Sequence, residues 1–171
     1  MRIYAGRIPD LASEIVDALI AKNYIEVQQD LVGEVKLDVE SVLKEYVRTE
    51  KEITEKAKDQ IAKTGEDHRL LGKIKSLIAQ KMGFGLGEDA PQYIINQIIE
   101  ILMISKNVDE VFAQDNEITA LLLPILKKYA GLEDELDQEI RKRIKNLQEG
   151  TTEWEIEYQK LMSTLRETKK L

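Results

Sequence analysis

The sequence contains no cysteine, a single histidine and only three prolines among its 171 residues. The absence of cysteine excludes thiol catalysis, cysteine-ligated zinc, iron–sulfur clusters and a disulfide framework. The one histidine, His68, stands beside Asp67 and Arg69 with no nucleophile in an evident relation to it, so we interpret it as a surface residue rather than a general base. We therefore expect a protein that is not an enzyme and that uses no metal and no cofactor.

Long apolar runs are also absent. The longest, 94–104, is interrupted by Asn96, Gln97 and Glu100, and nothing approaches the roughly 18 apolar residues of a membrane helix. The first residues lack the apolar centre of a signal peptide. We expect no membrane association and a cytoplasmic location.

What the chain does have is 43% hydrophobic and 33% charged residues. The first fraction is enough for a buried core. The net charge of −7 and the pI near 5.0 disfavour general binding to the phosphate backbone of nucleic acids. Glu and Lys dominate the interiors of the predicted helices, which favours ion pairs along them and would suit a thermophile.

The apolar pattern nearly repeats at an offset of about 83 residues. Two helical patterns that stay in phase over most of a chain indicate a duplicated helical unit. We predict a first helical unit at 1–82, a glycine-rich linker at 83–90 and a second helical unit at 91–171, packed as one body. The corresponding residues include Ile15, Val16 and Leu19 with Ile98, Ile99 and Leu102, and Val42, Leu43 and Tyr46 with Ile125, Leu126 and Tyr129.

The predicted fold class is mainly α, with a short helix and a long helical hairpin in each unit. The first helix runs from about Pro9 to Lys22, and a long helix ends at Thr64, where Gly65 can adopt a left-handed cap. Alternating apolar residues predict at most one small β-hairpin near residues 24–39. The helix at 91–106 is apolar on several sides and is predicted to be central.

Two segments match ligand sites poorly. Glycines at 83–87 could bring backbone N–H groups to an anion, but Glu88 and Asp89 would repel it, so a flexible linker is favoured over an anion site or a partner-binding loop. An acidic group follows the central helix, and it matches no calcium-loop spacing. Helix N-capping and solvation explain that group, which is Asp109, Glu110, Asp115 and Glu117.

The densest basic cluster could present a positive face to RNA or to an acidic partner. Carboxylates one turn earlier, at 135–139, offer ion pairs along the helix, so a solvated, salt-bridged face is the favoured interpretation. The cluster is Arg141, Lys142, Arg143 and Lys145.

Four segments together resemble a bacterial family catalogued as domain of unknown function 507. The resemblance covers nearly the whole chain and implies a bacterial intracellular protein, but it brings no activity, ligand or partner. The segments are Met1–Pro9, Leu37–Glu40, Asn96–Leu102 and Ser105–Phe112.

These observations predict a non-enzymatic helical interaction or scaffold protein, which binds another protein or a second copy of itself. The alternative is a nucleic-acid-associated accessory protein that uses the basic face at 141–145, although the net charge disfavours it.

Overall fold

A computed structural model describes residues 1–169 as six α-helices and one antiparallel two-stranded sheet. The prediction of a mainly α protein is confirmed. No helix within residues 1–169 is both long and apolar enough to cross a bilayer. The helices are α1 (Ile8–Ala21), α2 (Val32–Thr64), α3 (Leu71–Met82), α4 (Ala90–Ile104), α5 (Asp115–Arg143) and α6 (Thr152–Lys169), and the strands are β1 (Ile25–Glu26) and β2 (Glu110–Val111).

One apolar core contains residues from both halves of the chain. Helices α1 and α4 both pack against the two long helices, α2 and α5. Ile15 and Leu19 of α1 and Ile98 of α4 are fully buried in this core. The central position predicted for α4 is therefore shared with α1.

The two halves have the same order of elements: a helix, a two-residue strand, a long helix and a shorter helix. This order is what a duplication requires, and the duplication itself stays a prediction. The last two residues of the predicted second unit, 170 and 171, lie outside the described residues.

The predicted β-hairpin at 24–39 is wrong in its second strand. Ile25 and Glu26 do form a strand, but they pair with Val111 and Glu110 of β2. Residues 35–39 belong to α2, where Val35 and Val39 are fully buried and Leu37 is 54% exposed. Apolar residues at i and i+4 lie on one helical face, so this run fits a helix once the core lies on that side.

In the first half of the chain, glycine residues set the ends of helices α2 and α3. Gly65 (φ 70°) and Gly83 (φ 64°) adopt the left-handed conformation that ends α2 and α3, as predicted for Gly65. The short connection between these helices turns α3 back along α2.

The glycine-rich segment after α3 is packed onto the core. The buried ring of Phe84 stacks on Tyr46 and also contacts Tyr93, with ring centroids 4.9 Å apart in both pairs. Tyr46 donates a hydrogen bond to the carbonyl of Gly85. A Cβ atom on Gly85 would lie 2.5 Å from the Cβ of Tyr93, so only glycine fits this close approach.

Replacing Ile98 with Asp is expected to unfold the protein, because the residue is 0% exposed and the new charge would have no partner. Burial of an unpaired charge costs several kcal/mol, against a total stability of about 5–15 kcal/mol. Far-UV circular dichroism during a thermal melt measures the loss. The Asn96→Asp variant, exposed on the same helix, should melt like the parent protein; a soluble Ile98→Asp protein with unchanged melting would contradict the assignment.

Candidate ligand-binding cleft

Two helical hairpins, α2–α3 and α5–α6, face each other across a cleft of about 790 Å³. Each hairpin is held together away from the main core by its own apolar cluster. The clusters contain Ala57, Ile61, Leu71 and Ile74 in the first hairpin, and Leu136, Ile140, Ile144, Trp154, Tyr158 and Leu165 in the second.

Residues about 83 positions apart line the cleft from its two sides. The offset of 83 residues found in the sequence therefore also relates the two walls of the cleft. These pairs are Glu50 with Glu133, Leu71 with Trp154, and Lys75 with Tyr158.

Contacts between the hairpins close one side of the cleft. The ammonium group of Lys58 on α2 lies 2.6 Å from a carboxylate oxygen of Glu155 on α6. At the tips, a Cβ atom on Gly150 (φ 87°) would lie 3.3 Å from Nδ1 of His68. His68 thus packs at the junction of the two hairpin tips, and no hydrogen-bond partner of its ring lies among the described residues.

The amino-terminal segment forms the base of the cleft and is held by the second hairpin. Arg2 lies 2.6 Å from Asp137 of α5 and also donates a hydrogen bond to Tyr158 of α6. Tyr158 in turn donates to Asp137 at 2.7 Å. Burial and this hydrogen bond to Asp137 raise the pKa of the Tyr158 hydroxyl, so the phenol stays neutral.

A buried ion pair lies beside this segment. Arg166 of α6 donates to a carboxylate oxygen of Glu133 on α5, and both side chains are only 9% exposed. The ring of Tyr4 covers the guanidinium, with 3.2 Å between the ring centroid and Cζ. Nε and Nη1 of Arg166 are buried and have no hydrogen-bond partner among residues 1–169. Two of the three guanidinium nitrogens are therefore without an acceptor in this part of the chain.

Lys75 of α3 is half-buried in the cleft wall. Within residues 1–169, no carboxylate oxygen lies within 4 Å of its ammonium group. Burial lowers the pKa of Lys75 below its ordinary value of 10.5; the charge of Glu50 opposes this shift, and that of Arg2 adds to it. Such a lysine keeps a charge that its surroundings do not compensate.

Within residues 1–169, neighbouring carboxylates compensate two of the four residues in the basic cluster at 141–145. Arg141 forms a bidentate pair with Glu149 (2.6 and 2.9 Å) and a bond of 2.8 Å to Asp137, which together raise the pKa of its guanidinium. Nη2 of Arg143 lies 2.6 Å from Oε1 of Glu139. Lys142 and Lys145 are exposed and lie outside the cleft. The four residues therefore offer two uncompensated charges rather than four.

The acidic group after α4 is used in part for helix capping. Glu117 accepts a hydrogen bond of 2.8 Å from the backbone of Gln114, which completes a capping box at the start of α5. The N-cap of α5 is thus Gln114, one residue before the predicted Asp115. Within residues 1–169, no three acidic or histidine side chains converge as a metal site.

A comparison of the sequence with models of known protein families identifies the family of this chain. The model of the family described as protein of unknown function (DUF507) matches residues 1–171, the whole length of the chain. The chain belongs to this family. The family assignment predicted from the four segments is confirmed. No curated protein matches the chain.

Replacing Glu133 of this DUF507 protein with Leu should lower the free energy of unfolding by about 3–5 kcal/mol, since it leaves Arg166 charged and buried without a counter-ion. Urea denaturation measures the change. The double variant Glu133→Leu with Arg166→Met removes both charges and should recover most of the loss. A single variant no less stable than the double one would contradict the role of the pair.

Replacing Lys75 with Met should raise the melting temperature at pH 7 by about 2–4 °C, because it removes an uncompensated charge and keeps the apolar stem. The folded state binds the Lys75 proton less tightly than the unfolded chain does. The charged lysine therefore lowers the free energy of unfolding by its largest amount at pH values below the lowered pKa. This destabilisation disappears as the pH rises towards 10.5. Thermal melts of Lys75→Met across this range should therefore converge on the parent protein. The Lys73→Met control, on the exposed side of α3, should show no such gain, and a gain equal to that of Lys75→Met would contradict the interpretation.

Proposed function

We propose that this protein is a non-enzymatic interaction or scaffold protein of the bacterial cytoplasm, and that it binds another protein. The observation that carries the proposal is a set of large, exposed apolar side chains at one end of the molecule, which we call the apolar end. Its members are Leu37 (54% exposed), Met103 (66%), Ile104 (78%) and Phe112 (61%).

A side-chain network holds the apolar end together. Asp38 accepts hydrogen bonds from Ser105 (2.5 Å) and from the side-chain amide of Asn107 (3.1 Å). These bonds fix the segment after α4 against the start of α2, which brings Leu37 to the same end as Ile104. Further along this segment, the backbone N–H of Phe112 donates to the carbonyl of Tyr24. Apolar side chains displayed on a fixed framework are typical of surfaces that bind proteins.

The charges around the apolar end indicate the chemistry of the partner. Glu34, Glu100, Asp109 and Glu110 are exposed on the elements that carry it, where they outnumber the exposed Lys106. A partner with an apolar patch bordered by lysine or arginine would complement both properties. A second copy of the chain would bring the same acidic side chains together, so we commit to a different protein as the occupant.

The contacts in the cleft also favour binding over catalysis. Its hydrogen bonds join lysine, tyrosine and arginine side chains to carboxylates, and Arg2 to the hydroxyl of Tyr158. General acid–base catalysis needs a nucleophile and an oriented base within hydrogen-bond distance of each other. Within residues 1–169 the only histidine, His68, has no such partner. An interaction protein needs none.

Replacing Ile104 with Asp should weaken partner binding at least about tenfold, because it places a charge in the apolar contact. The partner is first captured from bacterial extract on the tagged protein, then purified and titrated by calorimetry at low and high salt. The matched control is Leu77→Asp, which changes a 48% exposed leucine on α3 and should bind like the parent protein. The acidic border predicts weaker binding at high salt.

Several results would contradict this proposal. They are equal retention of the captured protein by Ile104→Asp, equal loss with Leu77→Asp, and a dimer of the chain that Ile104→Asp dissociates in sedimentation. Capture of nucleic acid that is lost when Lys142 and Lys145 are changed to Glu would instead support the alternative of a nucleic-acid-associated protein.

A further inference from the structure

We propose that the cleft between the two hairpins binds a small organic anion, whose phosphate or carboxylate group is held by the ammonium group of Lys75. This inference is independent of the apolar end and of any protein partner. It rests on the charge of the cleft, on unpaired donors buried in its wall and on its size.

The cleft is electrostatically unlike the rest of the protein. Its lining includes six Lys and Arg side chains and five Glu side chains, a formal charge of +1 in a chain whose net charge is −7. Most of the carboxylates are already paired: Glu133 with Arg166, Glu149 with Arg141, and Glu55 and Glu155 with Lys58.

After this pairing, two lysines and one carboxylate of the lining have no ion-pair partner within residues 1–169. Lys51 and Lys75 are the cations, and Glu50 is the anion. Lys75 is the more buried of the two lysines, so an anion beside it would meet less competition from water. Lys58 is shared by Glu55 and Glu155, so the lining together with its ion-pair partners carries no net charge. What an anion would compensate is the local charge of Lys75, whose ammonium group has no ion-pair partner there.

Arg166 supplies a second, separate observation. Its side chain is nine-tenths buried and lines the same cleft, yet Nε and Nη1 have no acceptor in the described part of the chain. Buried donors in native proteins nearly always have partners, so two free ones on a single guanidinium point to an absent acceptor. The covering ring belongs to Tyr4, which is 40% exposed and is not part of the apolar core.

The dimensions and the aromatic lining favour an organic anion over a bare ion. About 790 Å³ falls within the range of roughly 300–1,000 Å³ that is usual for small-molecule sites. Trp154 and Tyr158 stack on each other, with 4.8 Å between ring centroids, and line the cleft beside the charged groups. Both are buried in the apolar cluster of the second hairpin, at 8% and 7% exposure, so each offers a small apolar surface to the uncharged part of a ligand.

Isothermal titration calorimetry with four probes tests the proposal on the full chain. AMP, citrate and inorganic phosphate carry the oxyanion, and adenosine lacks it. We expect at least one of the three anions to bind with a Kd in the millimolar range or tighter, and adenosine to bind at least about tenfold more weakly than AMP. Binding of AMP or phosphate indicates a phosphate ligand, whereas binding of citrate alone indicates a carboxylate.

Two variants assign the binding to Lys75. Lys75→Gln should weaken the bound anion at least about tenfold, because a charge-assisted hydrogen bond is lost. Lys73→Gln removes the same charge from the exposed side of α3 and should bind like the parent protein. Both proteins are checked for an unchanged circular dichroism spectrum. Equal binding by Lys75→Gln and the parent protein, equal losses in both variants, or no binding of any of the three anions would overturn the proposal.

Discussion

Burial of helices α1 and α4 between the long helices α2 and α5 holds this protein together. Helices α1 and α4 each bury a broad apolar face, and each contacts both α2 and α5. Because α2 and α5 belong to different halves of the chain, these contacts join the halves through a single core. The long helices extend beyond that core, and α3 and α6 cover their far ends with separate apolar clusters. Two facing hairpins, and the cleft between them, are the consequence.

The cleft wall holds one buried ion pair and one half-buried lysine. A buried ion pair such as Arg166 with Glu133 stabilises a fold little more than apolar residues of similar volume would. A half-buried lysine with no counter-ion, such as Lys75, is unfavourable by itself. In natural proteins, residues that reduce the stability of the fold are concentrated at functional sites. The electrostatics and the volume of the cleft therefore point to the same place.

The two proposed sites use different parts of α2. Leu37 belongs to the apolar end, and Lys58, 21 residues later, contacts the opposite hairpin. At 1.5 Å per residue this separation is about 30 Å along the helix axis. A protein at the apolar end would thus leave the cleft accessible. Because one continuous helix carries both sites, their relative position is fixed by the same backbone.

The sequence by itself determined the mainly α fold, the approximate extent of α1 and α4, the end of α2 and the family, because helical periodicity, the Gly65 cap and the four family-like segments are local signals. It could not exclude a strand at 35–39, since that apolar spacing fits a helix as well until the core selects a face. The tertiary structure alone decided that Ile25 pairs with Val111, that Arg141 is neutralised by Glu149, and that Lys75 and Arg166 line one cleft. Each of these depends on where separate elements pack, and no local pattern of residues encodes that placement.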